Sequence, residues 1–152
     1  MKERNAILVG AAVTTLFTAI FFVIPILVPL KATRQAVFEM TGEIMWGNPF
    51  KNFRLIGGFI GGTVTGLLCN DYWERSIKYG IQAAILGLIV SYLLYVVYNL
   101  FHAVVLVGVV PPILVILIVP AVFTLPLLLT YFIGGGIGGL LGGLLHAGIK
   151  AG

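Results

Sequence analysis

The stretch FIGGGIGGLLGGLLH, Phe132 to His146, has a near copy 77 positions earlier, LIGGFIGGTVTGLLC from Leu55 to Cys69. Nine of the fifteen aligned positions are identical. Gly58, Gly62 and Gly66 form one GxxxGxxxG series, and Gly135, Gly139 and Gly143 form another that Ala147 continues. A step of four residues turns a helix by only about 40°, so each series lies along one face. Helices with such faces approach backbone to backbone, gaining van der Waals contact and weak Cα–H···O bonds where lipid supplies no hydrophobic drive. The spacing predicts two membrane helices of the glycine-zipper kind. Pairing with each other within the chain is favoured over pairing with a neighbouring subunit, and a glycine-lined pore is the least favoured use.

Composition names the solvent. The chain is 60% hydrophobic and 9% charged, and nine basic plus five acidic residues cannot supply a polar shell for 152 residues. No formally charged side chain stands between Lys78 and Lys150, a run of 71 residues. As helix that run measures about 105 Å, enough for about three crossings of the bilayer core. The net charge of +4 then reads as juxtamembrane Lys and Arg facing anionic headgroups, not as a nucleic-acid footprint. Cys69 is the single cysteine, which excludes an internal disulfide and any Cys-pair metal site.

The chain divides into spans and connectors. Ala6 to Leu30, bracketed by Arg4 and Lys31, is too long for a secretion signal and reads as a retained first span, with Pro25 and Pro29 near its end. Lys31 to Arg54 is the polar connector, containing at Gln35 to Trp46 either an interfacial amphipathic helix or an ordered loop. The second span contains Leu55 to Cys69 and starts near Pro49 or Phe50. Asn70 to Tyr79 reads as a tight polar turn in which Asp71 and Glu74 pair locally with Arg75 and Lys78 and Trp73 anchors the interface. The third span runs from about Gly80 to His102. Ala103 to Leu125, with Pro111, Pro112 and Pro120, reads as a connector sunk into the membrane or as an extra crossing.

The shift of 77 also superposes Ala6 on Ala83, Gly10 on Gly87, Val13 on Val90, Leu16 on Leu93 and Pro49 on Pro126. The expected fold is therefore all-α: a polytopic helical bundle forming one transmembrane domain over residues 1–152. It has about four transmembrane helices in two tandem two-helix repeats, about 1–76 and 77–152. Four crossings are favoured over five. The halves would then share one orientation, related by a pseudo-two-fold along the membrane normal. Both termini are placed in the cytoplasm of a multi-pass cell-membrane protein, although the basic residues divide five to four between the two sides.

Few side chains point to chemistry. Ser91, Tyr95, Tyr98 and His102, with Asn99 beside them, form a polar stripe on the third span, either lining a path for a polar solute or proton or bonding to neighbouring helices. Thr14, Thr15 and Thr18 read as bonding back to their own helix carbonyls. No span carries a carboxylate or lysine, which disfavours a proton-coupled transporter. No nucleophile elbow, phosphate loop or triad is present, so no enzyme, cofactor or metal is expected.

The AILVGAAV start, the GGFIGG helix followed by a polar turn and GIQAAILG, and the closing LP...GGGIGGLLGG resemble a family of small archaeal four-helix membrane proteins of unknown function. The resemblance implies a topology and an archaeal origin, and no site residues. The long Lys31 to Arg54 segment departs from the shorter connectors of that family. The favoured function is a structural or assembly protein that oligomerises, or serves as a small subunit of a membrane complex, through glycine-zipper packing. Its partners are lipids and membrane subunits, and no nucleic acid. The alternative is a small channel or facilitator using the Ser91 to His102 stripe.

Overall fold

A computed structural model describes the backbone of residues 2–27, 51–69, 73–101, 104 and 113–151, and their side chains except at 20–27, 51–55, 99, 113–126 and 151. Among the described residues the chain is all-helical, with α1 at Glu3–Leu27, α2 at Lys51–Leu68, α3 at Trp73–Phe101 and α4 at Ile113–Ala151. The amphipathic segment expected at Gln35 to Trp46, the rest of the Lys31 to Arg54 connector as far as Phe50, and His102 lie outside the described residues. Two stretches, Trp73–Tyr98 and Leu127–Lys150, are long and apolar enough to cross a membrane.

Two element boundaries differ from the sequence reading. The polar turn expected over Asn70 to Tyr79 is helical from Trp73 onward, with Glu74 in the first turn of α3, where a carboxylate meets the positive end of the helix dipole. The connector expected over Ala103 to Leu125 is helical from Ile113, and α4 continues for 39 residues through Pro120 and Pro126. Each proline removes one N–H donor, leaving the carbonyls of Ile116 and Val122 without their usual partner. Apolar membrane helices tolerate that local loss better than they tolerate an open loop.

The helices pack as a rhombus. α2 and α3 each meet all three other helices, while α1 and α4 stand at the far corners. α1 lies antiparallel to α2, with Gly10 beside Gly61 and Thr65, and Thr18 beside Gly57. α3 lies antiparallel to α4, with Gly80 beside Gly135 and Ser76 beside Gly139 and Gly143. Consequently α1 parallels α3, and α2 parallels α4. No described side chain of α2 from Ile56 to Leu68 is exposed.

The two parallel pairs share one register. Gly10 faces Ala83, Thr14 faces Gly87, Gly58 faces Tyr131, Gly62 faces Gly135 and Gly66 faces Gly139. Each pair is 73 positions apart in the sequence, against the 77-residue offset of the sequence repeat. The difference is one helical turn, and a four-residue slip moves a small-residue face by only about 40°. At a shift of 73, eight of the fifteen positions from Leu55 to Cys69 still match. Glycine spacing is compatible with both offsets.

The interior is built of small residues. Ala6, Ala11, Ala83 and Ala84 are buried with Thr14, Thr18, Thr65, Ser76 and Ser91, and Leu88, Leu127 and Tyr131 are the large buried side chains. Leu16, Leu93, Val97, Leu129, Leu145 and Ile149 are exposed. This inverts the distribution of a water-soluble protein, in which large aliphatics form the core. Close backbone contact, rather than interlocked large aliphatics, makes the helix interfaces.

Candidate functional site

The glycines come in doublets, and the doublets explain how one helix serves two neighbours. Gly57 and Gly61 face α1, where Cβ atoms would meet Thr18 Oγ1 at 3.2 Å and Gly10 O at 2.6 Å respectively. Gly58, Gly62 and Gly66 face α4; a Cβ on Gly62 would lie 2.5 Å from Gly135 O and 2.9 Å from Gly135 Cα. On α4 the division repeats. Gly138 and Gly142 face α2 at Phe59, Thr63 and Leu67, whereas Gly135, Gly139 and Gly143 face α3 at Gly80, Ala84 and Ser76. Successive helical residues point about 100° apart, so paired glycines clear two adjacent faces at once.

One contact is reciprocal. Gly10 and Thr14 of α1 oppose Gly61 and Thr65 of α2, each glycine lying against the other helix's threonine hydroxyl and glycine carbonyl. Thr65 donates to Gly61 O at 2.8 Å. Thr14, fully buried, has the one buried side-chain polar atom without a hydrogen-bond partner among the described residues. Its Oγ1 sits against the α-carbon of Gly61, where a weak Cα–H···O contact offsets part of the desolvation.

The polar stripe of α3 does not keep one environment along its length. Ser91 is buried and donates to Gly87 O of its own helix at 2.8 Å. Tyr95 is half-buried, and Tyr98 is 40% exposed. The Asn99 side chain and His102 lie outside the described residues. Thr15 and Thr18 bond back to the carbonyls of Ala11 and Thr14, as threonines in helices commonly do. Each also reaches another helix. Thr15 donates to Gly87 O of α3 at 3.2 Å, and the Thr18 hydroxyl lies 2.6 Å from the Tyr131 hydroxyl of α4.

Tyr131 is the residue that sequence reasoning missed. It is 3% exposed, clusters with Ala84 and Leu88 of α3, lies against Gly58 of α2 and joins Thr18 of α1. Its signal was present: Tyr131 stands four residues before Gly135, on the same face as the glycine series. Without flanking evidence a lone tyrosine there is indistinguishable from an interfacial anchor.

The charged residues whose side chains are described gather at the opposite level. Tyr79 donates to Glu3 Oε2 at 2.6 Å, tying the start of α1 to the early turns of α3. Gly143 lies beside the Trp73 Cα, which brings the C-terminal part of α4 to the same end. The described interior holds hydroxyls and the Cys69 thiol, and every described Lys, Arg, Asp or Glu is exposed. No group of three His, Cys, Asp or Glu that could hold a metal forms among the described residues. Because the Tyr79 bond is solvent-exposed, Tyr79→Phe should change stability by no more than about 0.5 kcal/mol in a detergent unfolding titration. Comparison of the chain with protein-family models, curated proteins and solved structures found no match.

Proposed function

We propose that this chain is a multi-pass integral membrane protein of the structural or assembly class. Its single bundle crosses the cell membrane four times, with both termini in the cytoplasm. The observation that carries the reading is the inverted surface: Gly, Ala, Ser and Thr inside, Leu, Ile, Val and Phe outside. In this reading the glycine-zipper helices close the chain's own two hairpins, and the common 73-residue register of α1 with α3 and of α2 with α4 is what two like-oriented copies of one hairpin lying side by side would give; contact between α2 and α3 without an equal one between α1 and α4 gives no support to a two-fold axis. The outer aliphatic faces meet lipid and, at some of them, further copies or other subunits of a membrane complex. The resemblance to small archaeal four-helix membrane proteins accords with that topology. A polar path along α3 has less support, because Ser91 bonds to its own helix while Tyr98 faces outward.

The test has three readouts. Alkaline extraction of native membranes should leave the protein in the pellet, and single cysteines placed at Lys2 and Lys150 in a Cys69→Ser background should label from the same, cytoplasmic side. Release into the supernatant, or labelling from opposite sides, would sink the topology. Mass measurement of the particle purified from native membranes should show more than one polypeptide. A lone monomer would remove the assembly role.

A further inference from the structure

One end of the bundle carries a collar made of the charged side chains that are described. The helix directions bring Lys2, just before α1, Arg4 of α1, Arg75 and Lys78 of α3 and Lys150 of α4 to one end, and all five are exposed. Against them stand Glu3 and Glu74, with Asp71 in the intervening sequence. The Glu3 carboxylate accepts the Tyr79 hydroxyl at 2.6 Å. Inward of the collar the surface turns aliphatic, with Leu8, Val9, Ile89 and Ile133 exposed, while Trp73, 49% exposed, and Leu144 and Leu145 lie among the charged residues at the end itself. A ligand fitting this surface must be anionic at one end and apolar at the other.

We infer that this end of the bundle binds anionic phospholipid, with headgroup phosphates at the basic collar and acyl chains along the aliphatic flank. The inference rests on membrane insertion as proposed above. Clustered Lys and Arg beside the hydrocarbon edge attract anionic headgroups by about fivefold per cation at low salt. Nucleic acid would use the charge but leave the flanking aliphatic surface and Trp73 unexplained.

The experiment reconstitutes the full chain into nanodiscs containing about one-third phosphatidylglycerol in phosphatidylcholine, a range typical of anionic membranes. Lipids retained after detergent release are then counted by native mass spectrometry. The expected result is several-fold enrichment of phosphatidylglycerol, falling as ionic strength rises because the collar is exposed to solvent. The exposed-site variant K2Q/R4Q/R75Q/K78Q/K150Q should insert normally and lose the enrichment. If that variant does not fold, K78Q/K150Q should show a partial loss. Equal retention of both lipids by the parent protein, or enrichment indifferent to salt, overturns the inference. Enrichment unchanged in a correctly inserted variant does the same, and displacement of the lipid by inorganic phosphate alone would identify an ion site instead. Failure of the parent chain to enter the nanodisc tests the membrane reading, so the two failures are distinguishable.

Discussion

Gly139→Leu will prevent the four helices from assembling, whereas Gly148→Leu will leave the bundle as stable as the parent. A Cβ on Gly139 would run into the Ser76 carbonyl oxygen, with Ser76 C at 3.0 Å and Ile77 Cα at 3.1 Å. All three are backbone atoms, so no rotamer change can relieve the clash. α3 and α4 must separate, and the contacts of Gly135 with Gly80 and of Gly143 with Ser76 are lost with them. Forcing even one extra methyl into a packed interior costs about 1–3 kcal/mol, and leucine adds three further carbons. Gly148 lies on the same helix with nothing within 4 Å of its would-be Cβ.

The measurement is unfolding in mixed micelles of increasing denaturing-detergent fraction, followed by tryptophan fluorescence. Gly139→Ala should shift the midpoint downward by an amount equivalent to about 1–3 kcal/mol, and Gly139→Leu should show no folded baseline. Gly136→Ala is a graded control, since its Cβ would make ordinary contact with the Ile81 side chain at 3.5 Å. A Gly139→Leu protein that unfolds like the parent would refute the close packing of α3 on α4.

These substitutions also locate what was legible in the chain before its structure. The all-helical class and the small-residue faces follow from periodicity alone, because a four-residue glycine step has few readings in an apolar segment. The first glycine of each doublet was not assigned. A GxxxG reading asks which residues share a face, while Gly57, Gly61, Gly138 and Gly142 matter because they clear a second face. The 77-residue offset says which residues of the two halves correspond, not which of them meet, and the parallel helices meet at 73, one helical turn away. Trp73 to Tyr79 looked like a turn because it is polar, and polarity there marks the end of the apolar layer rather than the end of the helix. Pro120 and Pro126 similarly suggested a break that an apolar helix can absorb.

The second large effect is expected at Tyr131, and it separates shape from hydrogen bonding. Tyr131→Ala removes a ring packed among Ala84, Leu88 and Leu127 and held against Gly58, at the point where α4 reaches all three other helices. Emptying an aromatic site in a core of small residues leaves a cavity whose walls cannot collapse, because the neighbouring backbones are already in contact. The expected loss is about 3–5 kcal/mol, in the range of aromatic-to-alanine substitutions elsewhere. Tyr131→Phe keeps the ring and removes only the hydroxyl 2.6 Å from Thr18. Hydrogen bonds between membrane helices average about 0.6 kcal/mol, because the separated helices also find partners, and Thr18 retains its bond to Thr14 O at 2.7 Å. A double-mutant cycle with Thr18→Val should therefore give a coupling of about 0.6–1.7 kcal/mol, with Tyr131→Ala several times more damaging than Tyr131→Phe. If the phenylalanine variant were as unstable as the alanine variant, the hydroxyl pair rather than the filling of the Gly58 notch would hold α4 in the bundle. The 73-residue register would then rest on a polar contact instead of on the pairing of one large side chain with the glycine that faces it.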